Sequence, residues 1–122
     1  SAHALTLIRV IGMPWEKKAK YSLVAARMPD CMRRHALPDA GLDARFEIHA
    51  PGNNAWIIRR NGTLHVVETR TCEGFARLDR EPEGGIGPLL GTFQMRGDKL
   101  VFVAAAGAPA APGSGTDASP KP

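Results

Sequence analysis

Through residues 1–103 the apolar positions recur with a period near two, in short runs broken by Gly, Pro and Asn, which is the pattern of β-strands joined by tight turns. The clearest unit is Ala55-Trp56-Ile57-Ile58-Arg59-Arg60, then Asn61-Gly62, then Thr63-Leu64-His65-Val66-Val67-Glu68. Asn-Gly between two strand-like runs predicts a hairpin with a type I′ turn, both turn residues taking positive φ. A two-residue loop sets Arg60 against Thr63, Ile58 against His65 and Trp56 against Val67. Large apolar groups then fall on both faces: Trp56, Ile58 and Val67 on one, Ile57, Leu64 and Val66 on the other. A ribbon apolar on both sides needs cover on both, from a second sheet, a helix or another copy of the chain, so the hairpin is expected to be central and a homodimer is one state that would satisfy it.

A second hairpin, Gly91 to Arg96 and Lys99 to Val103 around Gly97-Asp98, divides more cleanly. Its register pairs Met95 with Leu100 and Phe93 with Phe102 on a core face, and leaves Arg96 facing Lys99 beside the turn, where water screens the like charges. Earlier strands are predicted at Leu5 to Ile11, Lys20 to Met28 and Ala44 to Ala50, with a short one at Phe75 to Leu78. Between the second and third of these, Pro29 to Pro38 is expected to hold one helical turn, capped by Asp30 and stopped by Pro38. With no long amphipathic helix, the predicted fold is mainly β: an antiparallel sandwich or small barrel of about six to eight strands, with at most one short helix.

The pattern ends near Ala104. Residues 104–122 are rich in Ala, Pro, Gly and Ser, with too little apolar surface to offset ordering entropy, and are expected to be a disordered tail behind a domain at 1–103. Asp117 and Lys121 cancel there, so the net charge of +4 belongs to the domain and favours anionic partners mildly. No apolar run approaches the roughly 20 residues of a membrane-spanning helix.

The chain has two cysteines, Cys31 and Cys72, and opens at Ser1 without an initiator Met. A cleaved leader or a purification remnant would each leave such a start; the first, with two cysteines in a small β-domain, points to an exported, periplasmic or secreted protein closed by a Cys31–Cys72 disulfide. Loop-entropy reasoning gives that bridge roughly 4 kcal/mol. Carrying the hairpin alternation on through Glu68 and Arg70 gives Cys72 the parity of Leu64 and Val66, so the bridge is expected to fasten the basic turn around Cys31 to the central hairpin.

Candidate chemistry is sparse. Cys31 and His35, four apart, share one face of a helical turn, the spacing of a nucleophile and base or of two metal ligands. A metal reading would use Cys31, His35, Cys72 and His65, with His49 as the other available imidazole. His3 behind a free Ser1 amine is the alternative, a nitrogen set suited to Cu(II) or Ni(II). There is no Gly-x-Ser-x-Gly, His-Glu-x-x-His or phosphate-binding loop, and Asp39 with Asp43, or Glu81 with Glu83, read as solvated loop acids. Arg59, Arg60 and Arg70 near the hairpin, and Arg33, Arg34 and His35 near Cys31, form the expected binding surface, with Arg77 nearby. Because the chain has few aromatics and most of them are assigned to the core, nucleic acid is not expected, and an acidic protein or glycan fits better.

The expectation is therefore an exported, non-enzymatic binding module of a bacterial envelope, in the role of an inhibitor, accessory subunit or surface component, needing no cofactor. The competing readings are a metal-handling protein and a small hydrolase.

Overall fold

The computed structural model describes residues 2–108 and the strand at residues 113–118. Among the described residues eleven strands run in chain order: β1 (Ala2–Val10), β2 (Lys18–Met28), β3 (Cys31–Ala36), β4 (Ala40–Gly41), β5 (Phe46–Gly52), β6 (Ala55–Arg60), β7 (Thr63–Glu68), β8 (Phe75–Leu78), β9 (Leu89–Arg96), β10 (Lys99–Ala104) and β11 (Gly113–Ala118). One sheet has the order β11-β1-β2-β3, with the two-residue β4 added to β2; the other is six-stranded, β10-β9-β5-β6-β7-β8. All pairs are antiparallel except β1 with β11. No helix occurs among the described residues.

The two sheets close over one core to form a sandwich. Leu5 and Leu7 of β1 and Tyr21, Leu23 and Ala25 of β2 meet Phe46, Ile48, Ile58, Val67, Phe93 and Leu100 of the other sheet. Strict alternation makes this possible, since each of these strands turns every second residue inward. Tyr21 packs on Phe46 with ring centroids 4.8 Å apart. Its hydroxyl, carried into the core, donates to Gly41 O at 2.6 Å, which removes the penalty of burying it.

Both predicted hairpins form in the predicted register, Trp56 opposite Val67 and Ile58 opposite His65, Met95 opposite Leu100 and Phe93 opposite Phe102. Gly91 allows the second to pack. A Cβ there would sit 2.4 Å from the Phe102 ring, so no other residue fits beneath it without displacement. The first hairpin lies between β5 and β8, and Ile57 and Leu64, on its face away from the core, are buried within the single chain. Its turn departs from type I′, because Asn61 has φ of 54° while Gly62 is not in the positive region.

Three segments differ from expectation. Cys31–Ala36 is not a helical turn but strand β3, paired with β2 from Arg27↔Cys31 to Ser22↔Ala36. Pairing along β2 satisfies the backbone groups of every second residue over six residues and ties the segment to the long strand β2, where one capped turn would satisfy few. Asp30 lies in the turn before it, its amide donating to Arg27 O at 2.7 Å beside a cis Met28–Pro29 peptide. The strand count rises above eight through β3, the two-residue β4 and β11. Finally, Gly113–Ala118, inside the stretch expected to be disordered, runs parallel to β1 from Leu5↔Gly113 to Val10↔Ala118. An open β1 edge offers unpaired amides and carbonyls to any chain able to extend along it. The remainder of the expected tail from residue 109 lies outside the described residues.

Candidate functional site

The predicted Cys31–Cys72 disulfide is present, with S–S 1.99 Å and Cα–Cα 5.8 Å. It joins β3, at one edge of the first sheet, to the loop between β7 and β8 at one edge of the second. The sulfurs being bonded to each other, neither is a thiolate for catalysis or for the Cys31, His35, Cys72, His65 metal set. No group of three or more His, Cys, Asp or Glu side chains suited to a metal occurs among the described residues.

His35 and His65 have a different task. His35 stacks on Phe75 at 4.7 Å and 9°, and Phe75 stacks on His65 at 5.4 Å and 12°, so three rings span the gap between the sheets beside the disulfide. His35 Nε2 donates to Cys72 O at 2.7 Å. Burial, then the nearby Arg77 and Arg60 guanidinium groups, hold the His65 imidazole below its ordinary pKa, favouring the neutral ring in this stack.

The same loop is held from several sides. Glu68 accepts from Thr71 N at 2.7 Å, Gly74 N at 2.8 Å and the Thr71 hydroxyl. Burial alone would raise the carboxyl pKa, but these bonds outweigh it and hold the group down to about 2. Arg27 donates to Thr69 O at 2.9 Å and to Arg70 O at 2.7 Å, and pairs with Asp30 at 2.5 Å. Beneath lies Thr69, 0% exposed, whose hydroxyl receives the Trp56 indole N–H at 3.1 Å, meets His3 Nδ1 at 2.7 Å and reaches Asn54 O at 3.3 Å. His3 is thereby engaged through its ring, and the Ser1 half of the proposed copper or nickel site lies outside the described residues. Thr69 and Arg27 were invisible as a hub in the sequence, since neither belongs to a spaced motif.

The basic residues expected to form one surface are distributed by strand alternation over several. Arg33 and His35 share a face of β3, while Arg34 is on the other. Arg33 is paired with Glu73 at 3.3 Å, and Arg70 is exposed on the pinned loop. Arg60 lies on the core-side face of β6 and Arg59 on the outer one.

Arg59 belongs to a polar cleft on that outer face, about 330 Å³ in volume, lined by Arg45, Glu47, Arg59, Asn61 and Thr92. Neighbouring strands supply it, since Glu47 of β5 stands opposite both Arg59 of β6 and Thr92 of β9. Glu47 Oε1 accepts from Arg59 Nε at 2.9 Å and lies 2.9 Å from His49 Nε2, with His49 Nδ1 3.1 Å from Gly87 O. The His49 hydrogen bond is the main reason the Glu47 carboxyl sits below its ordinary pKa; burial opposes it and Arg59 adds to it. Arg45 bonds to the neutral amide oxygen of Gln94 at 3.1 Å, and no carboxylate lies within ion-pair distance of it among the described residues. The cleft thus has two guanidinium groups, one carboxylate, an amide and a hydroxyl. No family model, curated protein or solved structure matches the chain.

Proposed function

We propose that this chain is an exported, non-catalytic binding module that takes an acidic glycan, through its carboxylate-bearing sugars, in the cleft of Arg45, Glu47, Arg59, Asn61 and Thr92. The observation that carries the reading is the unequal pairing of the two arginines. Glu47 orients and neutralises Arg59, whereas Arg45 is oriented by Gln94 without being neutralised, leaving one held guanidinium for an incoming carboxylate. Asn61 and Thr92 add the amide and hydroxyl that sugar hydroxyl groups pair with. The volume lies at the lower end of the range of small-ligand sites, about 300–1,000 Å³. Export is supported by the disulfide, which persists in oxidising compartments.

The junction around Cys31 is the weaker candidate, because two of its arginines are already engaged, Arg33 with Glu73 and Arg27 with Asp30 and two loop carbonyls. The test is titration of the labelled protein with an oligouronate, followed by amide chemical shifts. Saturable shifts at Arg45, Asn61 and Thr92, lost in Arg45→Gln with the melting temperature unchanged, are the expected result. Shifts confined to residues 31–35 and 69–74, or none, would reject the cleft.

A further inference from the structure

The loop between β1 and β2 carries the most exposed aromatic side chain among the described residues. Trp15 is 75% exposed and Met13 54% exposed, at a turn closed by Glu16 N donating to Met13 O at 3.0 Å. Pro14 occupies the second position of that turn, where its fixed φ prepares the bend, so Trp15 is held out at the apex by backbone geometry. Lys17, Lys18 and Lys20 follow directly, all exposed, and none of the three makes an ion pair among the described residues. Alternation sends Lys18 and Lys20 to the outer face of the first sheet, where Lys20 stands opposite Val10. A groove of about 630 Å³ opens there, bounded by Val10, Gly12, Glu16, the three lysines and Asp39.

We infer that this loop docks the domain onto an anionic lipid surface, Trp15 and Met13 entering the headgroup layer and the three lysines engaging lipid phosphates. The ring and the charges fit that occupant together. Indole prefers the boundary between apolar and aqueous phases, and lysine stems lie along apolar surface while their ammonium groups reach anionic headgroups. A protein partner fits less well, since lysine is depleted at the centre of protein interfaces. Single-stranded nucleic acid fits less well too, because it is held by successive stacking platforms and this patch has one ring. The surface lies on the other sheet from the Arg45–Arg59 cleft, and the inference is independent of what that cleft binds.

The experiment is flotation of the intact protein with vesicles of phosphatidylglycerol and phosphatidylethanolamine, with phosphatidylcholine vesicles and an oligothymidylate as comparison probes. Binding to the anionic vesicles with a blue shift of tryptophan emission is expected, falling at least tenfold in the triple variant Lys17→Glu, Lys18→Glu, Lys20→Glu. Trp15→Ala should abolish the blue shift and leave a weaker association that salt removes. Since all four side chains are exposed, these variants should melt like the parent. No flotation at low salt, equal binding to phosphatidylcholine, insensitivity to either variant, or tighter binding to the oligothymidylate would each overturn the inference.

Discussion

Thr69→Val removes a single oxygen from the point where β1, β6 and the disulfide loop meet, and nearly preserves shape. Three hydrogen bonds end on that oxygen, from the Trp56 indole, from His3 Nδ1, and to Asn54 O. At about 1 kcal/mol net for each bond, and with about 1 kcal/mol returned because a methyl replaces a buried hydroxyl, the loss is about 2 kcal/mol. For a domain of this size that is a fall in melting temperature of roughly 10 °C. Urea denaturation followed by far-ultraviolet circular dichroism measures it, and a cycle with Trp56→Phe isolates the indole bond. The cycle should return a coupling of about 1 kcal/mol, because the two side chains touch and Phe has no N–H to leave unpaired. A Thr69→Val variant within about 0.5 kcal/mol of the parent, or a coupling near zero, would mean that water replaces these bonds freely and that Thr69 is no hub.

Two further outcomes test the same region. Glu68 has a folded-state pKa of about 2 against an ordinary 4.5, so the unfolded chain binds the proton more readily, and its contribution is complete above pH 4.5 and lost as pH falls toward 2. Because the group is partly exposed, solvent screening reduces that contribution to about 1 kcal/mol. Glu68→Gln should lose it at pH 7 and show a correspondingly flatter acid limb in urea titrations at stepped pH; parallel limbs would reject the assignment. Replacing Cys31 and Cys72 together by Ser should cost roughly 4 kcal/mol by loop entropy and raise amide exchange at residues 70–74 before that of β6 and β7, and uniform acceleration would show that the loop is not a separable unit.

Much of the architecture can be read from local patterning. The two-residue turns at Asn61-Gly62 and Gly97-Asp98 specify their registers, because a slip of one residue would turn Ile58 or Phe93 toward water. The failures lie where long-range pairing outweighs local preference. Pro29 to Pro38 has the capping residue and stop of a helical turn, yet the edge of β2 draws Cys31–Ala36 into a strand. Gly113–Ala118 has little strand propensity, yet it runs in register along β1. The parity assigned to Cys72 assumed extended chain beyond Glu68, but β7 ends there and Cys72 takes φ of 65°, which breaks the alternation.

For the candidate sites, residue types were legible and their company was not. Arg59 stood out in the sequence as one of a set of cations; its association with Arg45, Glu47 and Thr92 exists only because β5 lies between β6 and β9. The hydrophobic period, the turn dipeptides and the cysteine pair are properties of neighbouring residues or of composition, so the chain alone pointed to an antiparallel β-domain, sandwich or barrel, with these hairpins and a disulfide; the tertiary structure decided for the sandwich. Strand order and sheet packing join residues dozens of positions apart, through contacts that no local pattern encodes. The tertiary structure therefore decided which arginines are paired, that Thr69 is the buried hub, and that Trp15 stands in solvent.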